Sequence, residues 1–352
     1  MAKRVIFGIS LLVGLGLFAL VLLRLGSLEE APAELARFGV VAVLIYFANA
    51  AVTLAAPALS WLILMRGEGI RVSYWTALKA NLMGAPLNMV TPTLHLGGEP
   101  LKMVYVANLA GVSKHRVLAT ILVAKFQEFG GLFLVMIAAV WVSVWRLDLT
   151  PRQETLLVGA MAMLMVPFAI TLYAFIRNWQ PTVKSITALA RLGIATRRLA
   201  RLRLRARDME RIVHAAFTER WRSFIPSQAA AVVSAASIFM RAWIFFGLSG
   251  VLLGADQLSA VYVITNVANS LPVPGGLGVF EGGVALFSQQ VLYQIADEGL
   301  TAFLIVNRAA DVFLVLVGLY FIAVSGLRAL ARSVAKGDVS TNVRDAKRTT
   351  ED

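Results

Sequence analysis

Seven ionisable side chains lie in or beside strongly apolar stretches of the chain. They are Glu99, Lys125, Glu128, Arg241, Glu281, Arg308 and Asp311. A charge at the centre of a bilayer costs about 2.5–3.5 kcal/mol on insertion scales. Such a side chain is therefore retained where it pairs with an opposite charge or is hydrated. Lys125 and Glu128 are three residues apart, as are Arg308 and Asp311, which places each pair on one helical face. Each pair either pins helices together or lines a polar site, and the spacing leaves both roles open.

Two of these carboxylates, Glu99 and Glu281, lie in stretches interrupted by glycine and proline, where a ligand could reach them. They could bind a cationic headgroup, carry a coupling proton, or serve as the acid and base of a lipid-modifying enzyme. Arg241 has no acidic neighbour on its own helix, so its partner is Glu281, Asp311 or an anionic ligand. Because a guanidinium binds phosphate through two hydrogen bonds, Arg241 and Arg308 are predicted to bind a lipid headgroup.

The elements that carry these residues are expected to be membrane helices. The 352 residues are 59% hydrophobic and 15% charged, with a mean hydropathy of +0.75, too apolar for a soluble globule of this size. Several apolar runs reach the roughly 20 residues that a spanning helix needs, without the alternation of barrel strands. The predicted fold class is an all-α polytopic membrane protein. The chain has no cysteine, which excludes disulfides and thiolate metal sites.

Six full crossings and two broken segments are predicted. The crossings are about Val5–Leu23, Phe38–Met65, Val117–Trp145, Leu156–Ile176, Gln228–Leu253 and Leu300–Leu327. Glycines and prolines interrupt residues 72–110 and 259–297. Irregular backbone is tolerated at membrane depth only where protein or a wet cavity satisfies it, so these segments are predicted to be re-entrant. For the first segment, a pair of short full crossings is the alternative.

Basic residues orient the predicted spans. Of the net charge of +13, +9 lies in residues 177–222, which is typical of a cytoplasmic loop near anionic lipid and argues against nucleic acid as the partner. Apolar residues at helical spacing in 199–213 predict an amphipathic helix on the membrane surface. The expected location is the bacterial inner membrane, with both termini cytoplasmic. The predicted divisions are a first repeat 1–176, a basic linker 177–227, a second repeat 228–327 and a disordered tail 328–352.

The two halves of the chain contain matching residues. The stretch from Asn88 to Glu99 resembles the stretch from Asn269 to Glu281 at an offset of 181 to 182 residues. Two further matches have nearly the same offset. The pair Lys125/Glu128 corresponds to Arg308/Asp311, and Trp61 corresponds to Trp243. The charges place the first broken segment on the inner side and the second on the outer side. Such inverted repeats with broken helices are how many transporters build a midplane site.

These motifs resemble a known family. The stretch from Asn88 through Pro92 to Glu99, the glycine-rich run from Pro272 to Gly283, and Asn307-Arg308 with Asp311 are similar to the integral-membrane domain of lysylphosphatidylglycerol synthases. Stand-alone, flippase-like proteins share this domain. The resemblance covers nearly the whole chain. It implies movement of a lipid, such as an aminoacylated phosphatidylglycerol, between leaflets; other relatives are linked to hopanoid or polyprenyl-linked glycan pathways. Because only a short tail follows Leu327, no aminoacyl-transferase domain and no lysyl-lipid synthesis are expected.

The predicted function is therefore a lipid flippase with no cofactor or bound metal and with lipid as its partner. Arg241, Arg308 and Lys125 would hold the headgroup while the acyl chains stay in the bilayer. The same cavity is predicted to be lined by Glu99, Glu128, Glu281, Asp311, Asn88 and Asn269. No P-loop and no H-E-x-x-H motif is present, so neither ATP hydrolysis nor zinc catalysis is expected. The alternative is an accessory or catalytic membrane subunit of a lipid-modification pathway. Gly250-x-x-x-Gly254 permits close helix contact, which leaves open self-association or an envelope-biosynthesis partner.

Overall fold

The computed structural model describes residues 31–90, 96–146, 151–191, 197–270, 282 and 302–325. Within these ranges every regular element is a helix, which confirms the all-α prediction. In chain order the helices are α1 (Ala31–Gly67), α2 (Tyr74–Val90), α3 (Glu99–Ala110), α4 (Lys114–Arg146), α5 (Pro151–Ile176), α6 (Pro181–Arg191), α7 (Arg197–Thr218), α8 (Trp221–Leu248), α9 (Ala255–Ser270) and α10 (Ala302–Ser325).

Four of the described helices are long and apolar enough to cross a membrane. They are the part of α1 from Gly39 to Gly67, and all of α4, α8 and α10. A fifth span results if α5 and α6, which are bent by 93°, are counted together. The predicted crossing Val5–Leu23 lies outside the described residues. Helix α8 begins at Trp221 rather than at Gln228, and it accommodates Pro226 in its interior.

The first broken segment forms two short helices, α2 and α3. The Asn88 side-chain oxygen accepts a hydrogen bond from the Gly98 N–H at 2.7 Å, which joins the end of α2 to the start of α3. A Cβ at Gly98 would lie 2.5 Å from the Cα of Gly84, so the two backbones approach where only glycine fits. The 12 residues of α3 extend about 18 Å, less than the roughly 30 Å hydrocarbon core. Helix α3 by itself is therefore shorter than the hydrocarbon core, and α2 and α3 form a helical hairpin.

The hairpin begins and ends at one end of the bundle. The Arg116 side chain, at the start of α4, donates to the carbonyl oxygen of Glu68 at 2.6 Å, just after α1. Arg220, at the start of α8, forms an ion pair with the same glutamate. Ile70, Val106 and other apolar residues of this end share one core cluster. These contacts hold the ends of α1, α4 and α8 together.

Helices α1 and α8 pack against each other over an extensive interface. Their contacts run antiparallel: Tyr46 packs edge-on against Phe245, with ring centroids 6.2 Å apart, while Ser60 at the other end of α1 meets Ser227 at 2.8 Å. Midway, the hydroxyl of Ser234 donates to the carbonyl oxygen of Thr53 at 3.1 Å. The pair forms the central wall of the bundle.

Helix α7 corresponds to the predicted amphipathic helix. Its apolar face packs on the bundle in its second half, where Val213 is fully buried in the core cluster that contains Ile70. Earlier on the same helix, Leu202 is 50% exposed. The buried carboxylate of Glu210 accepts the backbone N–H of Thr182 at 2.6 Å and so satisfies a free donor at the start of α6. The basic linker is thus partly a structural element of the bundle.

A candidate site in the middle of the bundle

A cavity of about 390 Å³ lies among six helices. This volume falls in the range of roughly 300–1,000 Å³ that is usual for small-molecule sites. The lining side chains come from both halves of the chain: Thr53, Leu54, Pro57, Asn88, Lys125, Glu128, Phe129, Leu132, Ala231, Ser234, Ala235, Ile238, Arg241, Asn266, Asp311 and Leu314. Five of the residues predicted from sequence meet here, namely Asn88, Lys125, Glu128, Arg241 and Asp311.

The cavity lies at the middle of the membrane-length helices. Thr53 is the central residue of the span Gly39–Gly67, and Ser234 lies at the centre of α8. Phe129 and Leu314 lie at or next to the centres of α4 and α10. Since four helices contribute their midpoints, the cavity lies where a membrane centred on those helices would have its midplane.

One wall of the cavity carries a buried cluster of four charges. The Lys125 ammonium lies 2.6 Å from the Glu128 carboxylate and 3.3 Å from that of Glu99. The Glu99 carboxylate also accepts a hydrogen bond from Lys102 at 3.0 Å. Glu99 and Lys102 are deeper, with side chains 8% and 7% exposed, whereas Glu128 is 28% exposed. Lys125 therefore connects a buried ion pair to the cavity.

Across the cavity, Arg241 is held by a neutral group. Its Nη1 donates to the amide oxygen of Asn307 at 3.0 Å, and the same oxygen accepts the hydroxyl of Tyr46 at 3.1 Å. The sequence left Glu281, Asp311 or a ligand as its partner. The Nε of Arg241 is buried and, among the described residues, has no hydrogen-bond partner. Arg241 thus lines the cavity, and among the described residues its guanidinium is only partly satisfied by hydrogen bonds.

Of the second predicted pair, Arg308 and Asp311, only Asp311 lines the cavity. Asp311 lines the cavity and is 34% exposed, whereas Arg308 is 11% exposed and lies 3.4 Å from the Asp311 carboxylate. Arg308 is not among the described residues that line the cavity, but it contacts Asp311, which is. Of the remaining predicted residues, Asn269 lies in α9 and Glu281 lies outside the described residues.

A neutral polar network lies one helical turn beyond the cavity, towards the end of α1. The Ser227 hydroxyl contacts the Gln127 side-chain oxygen and lies 2.9 Å from the Ser60 carbonyl oxygen. The Gln127 amide nitrogen donates to the carbonyl oxygen of Phe224 at 3.0 Å. All three side chains in the network are fully buried. At the other end, aromatic rings of Phe245, Phe246 and Phe303 pack together.

Several residues of this arrangement were not singled out from the sequence. Lys102 had the signal that marked the other pairs, because it stands three residues after Glu99. Asn307, which belongs to the motif shared with the resembling family, carried no charge to draw attention to it. Gln127 stands beside Glu128, but its described partners lie on other helices. Thr53 donates to the Asn49 carbonyl oxygen on its own helix and also contacts Ser237 on α8, and no local spacing could reveal the second contact.

A multi-pass α-helical membrane protein with a charged cavity at mid-depth is the class that this fold and site define. Its family is established by comparison: the family described as "Lysylphosphatidylglycerol synthase TM region" matches residues 5–318. The chain belongs to that family, which confirms the resemblance noted from the motifs. A relative called "UPF0104 membrane protein", from Methanothermobacter thermautotrophicus, is 22% identical over 245 residues, covering 67% of this chain and 71% of the relative. No solved structure matches the chain.

Proposed function

We propose that this protein is a lipid flippase of the bacterial inner membrane. Its cargo is a phospholipid, a modified lipid, a hopanoid or a polyprenyl-linked lipid, and its termini are cytoplasmic. The observation that carries the proposal is the charged cavity halfway along four membrane-length helices. A polar headgroup that crosses a bilayer needs partners at the depth where lipid offers none. Family membership supports a role in lipid chemistry.

The packing of α1 against α8 supports the proposal that the halves are inverted repeats. Trp61 and Trp243 mark corresponding positions 182 residues apart. Thr53 and Ser234, which are hydrogen-bonded where the two helices cross, are 181 residues apart. Antiparallel segments that cross within one position of equivalent residues are consistent with a two-fold axis in the membrane plane. Rocking one repeat against the other about this crossing would open the cavity to alternate leaflets.

Arg241 is the proposed phosphate ligand in the cavity. Its one hydrogen bond to a described side chain is to a neutral amide, and its buried Nε has no hydrogen-bond partner within the described part of the chain. No carboxylate there competes directly for the guanidinium at hydrogen-bonding distance. Asp311 and Glu128 provide acceptors on other walls, so the cavity suits a headgroup that combines a phosphate with hydroxyl or amino groups.

Glu99 supports transport rather than catalysis. Its carboxylate is held between two ammonium groups at 3.0 and 3.3 Å and is nearly inaccessible. A general acid or base must reach the proton that it transfers. We propose that Glu99 holds Lys125 at the cavity wall and takes no chemical step.

Reconstitution of the full chain in liposomes tests the flippase proposal. Fluorescent phosphatidylglycerol, phosphatidylethanolamine, aminoacyl-phosphatidylglycerol, hopanoid and polyprenyl-phosphate probes are followed by quenching of the outer leaflet. Ile238→Trp fills the cavity and should abolish movement of the cargo. Val233→Trp, on the same helix but 51% exposed outside the cavity, should retain it. Arg241→Gln should weaken headgroup binding by roughly 10- to 150-fold, the equivalent of one lost charge-assisted interaction.

Three results would oppose the proposal. If wild-type protein moves none of the probes faster than empty vesicles, the transport function is wrong. If mass spectrometry instead finds a new lipid product that depends on the protein, the alternative of a catalytic membrane subunit is favoured. Equal rates for Ile238→Trp and Val233→Trp would show that transport does not pass through this cavity.

A further inference from the structure

A second, apolar groove of about 290 Å³ lies between α4 and α5. Four phenylalanine rings line it, and three of them surround the fourth. The centroid of Phe168 on α5 is 4.9 Å from Phe133, 5.7 Å from Phe126 and 6.3 Å from Phe129 on α4. The groove is thus a slot between two helices with walls of flat aromatic rings.

The groove and the central cavity share one wall. Lys125, Phe129 and Leu132 line both of them. These residues follow each other at four and three positions, so they form one stripe along α4. Glu128 lies on the cavity side of the stripe and Phe133 on the groove side. A molecule with a polar end in the cavity can therefore reach the groove by passing over a single row of side chains.

Among the described residues, the groove has almost no polar group of its own. Thr171 lines it, but its hydroxyl donates to the carbonyl oxygen of Pro167 at 2.7 Å, within α5. The Lys125 ammonium, on the shared stripe, is the one charged group of the described lining. Pro167 and Thr171 are exposed on the outer surface of α5, and Leu96, before α3, is 41% exposed. Since α5 is itself strongly apolar, this rim faces lipid.

A groove of this kind does not select a hydrocarbon chain by the hydrophobic effect, because lipid tails are as apolar as the groove. A chain is favoured there when its own headgroup is held nearby, since the tether raises its local concentration. We infer that the groove between α4 and α5 binds one linear acyl chain of the lipid whose headgroup occupies the cavity. This inference rests on the proposed function. The α4 stripe then lies between the headgroup of this lipid, in the cavity, and its acyl chain, in the groove.

Photocrosslinking of the full chain tests the inference. The protein is reconstituted in vesicles of phosphatidylethanolamine with a phosphatidylglycerol that carries a diazirine midway along one acyl chain, and labelled residues are mapped by mass spectrometry. We expect labels on Phe129 and Phe168 above the level of the lipid-facing residue Leu134. Thr171→Trp, which fills the groove, should reduce the groove labels to that level. Val166→Trp, on the same helix, 54% exposed and outside the groove, should leave them unchanged.

Three outcomes would overturn the inference: labels spread evenly over lipid-facing residues, groove labels that persist in Thr171→Trp, or labels from a diazirine hopanoid in place of the acyl probe. Arg241→Gln should also lower the groove labels, because it removes the tether. The two proposals fail separately. Groove labels without lipid movement contradict the flippase and leave the acyl-chain site standing. Lipid movement at the wild-type rate in Thr171→Trp, with no groove labels in either protein, contradicts only the acyl-chain site.

Discussion

Removal of the Glu99 carboxylate should destabilise the protein far more than the loss of an ordinary surface charge. Glu99→Gln keeps the size of the side chain nearly unchanged. It removes the anion that lies 3.0 Å from Lys102 and 3.3 Å from Lys125. Lys125 keeps Glu128 at 2.6 Å, but among the described residues Lys102 loses its one carboxylate partner. Breaking a buried ion pair from one side costs about 3–5 kcal/mol, and we expect a loss in this range.

A second substitution separates the charge effect from packing. In the double variant Glu99→Gln/Lys102→Met the buried ammonium disappears together with its partner, so the loss should be well below the sum of the two single losses, by about 0.5–3 kcal/mol. Asp208→Asn is the control, because it breaks an exposed pair in which Asp208 and Arg211 are 3.9 Å apart and 52% and 80% exposed. Its cost should be about 0–1 kcal/mol.

Equilibrium unfolding in detergent micelles, followed by circular dichroism, measures these free energies of unfolding. The reasoning is refuted if Glu99→Gln loses less than about 1 kcal/mol, since a buried uncompensated ammonium must cost more than an exposed one. Strict additivity of the two single variants would refute it equally, because residues in direct ionic contact are expected to be coupled.

Three further predictions follow from the fold and the site. Gly98→Ala should destabilise by about 1–3 kcal/mol, because its Cβ would overlap the backbone of α2, whereas Gly159→Ala, with open space around it, should be neutral or stabilising in the same unfolding assay. Since the chain has no cysteine, Leu252→Cys and Arg205→Cys each create a single labelling site. A membrane-impermeant maleimide added to intact cells should label the cysteine at position 252 and not the one at position 205. Labelling of both would contradict the proposed topology. In liposomes with an imposed potential of 100 mV, worth about 2.3 kcal/mol per charge, the distribution of an anionic cargo should shift by up to roughly 50-fold, while a zwitterionic cargo should not respond.

Local patterns predicted the local parts of this structure. Apolar runs predicted α1, α4, α8 and α10, since the hydropathy of a span is a sum over neighbouring residues. The glycines of the first broken segment predicted an interruption, and Gly84 and Gly98 indeed meet there. The i, i+3 spacing of Lys125 and Glu128 predicted an ion pair that forms at 2.6 Å. The predicted inverted repeat and lipid transport stay predictions.

Such local patterns did not predict the contacts between helices. The sequence suggested Glu281, Asp311 or an anionic ligand as the partner of Arg241; among the described residues its hydrogen-bond partner is the amide of Asn307. The sequence predicted both Arg308 and Arg241 as headgroup ligands. Of these two arginines, only Arg241 lines the cavity. Both outcomes depend on the rotation of each helix about its axis and on where helices cross, and many distant residues set these together.

The charged residues within the apolar helices therefore have both local and long-range determinants. The sequence by itself determined that charged side chains are retained within apolar helices, that their pairs share helical faces, and that the chain belongs to a membrane family, because each property is carried by residues close together in the chain. Only the tertiary structure decided that Lys125, Glu128, Arg241 and Asp311 share one cavity, since they come from three helices. It also placed an aromatic groove behind Lys125, because the packing of α4 against α5 alone creates that space.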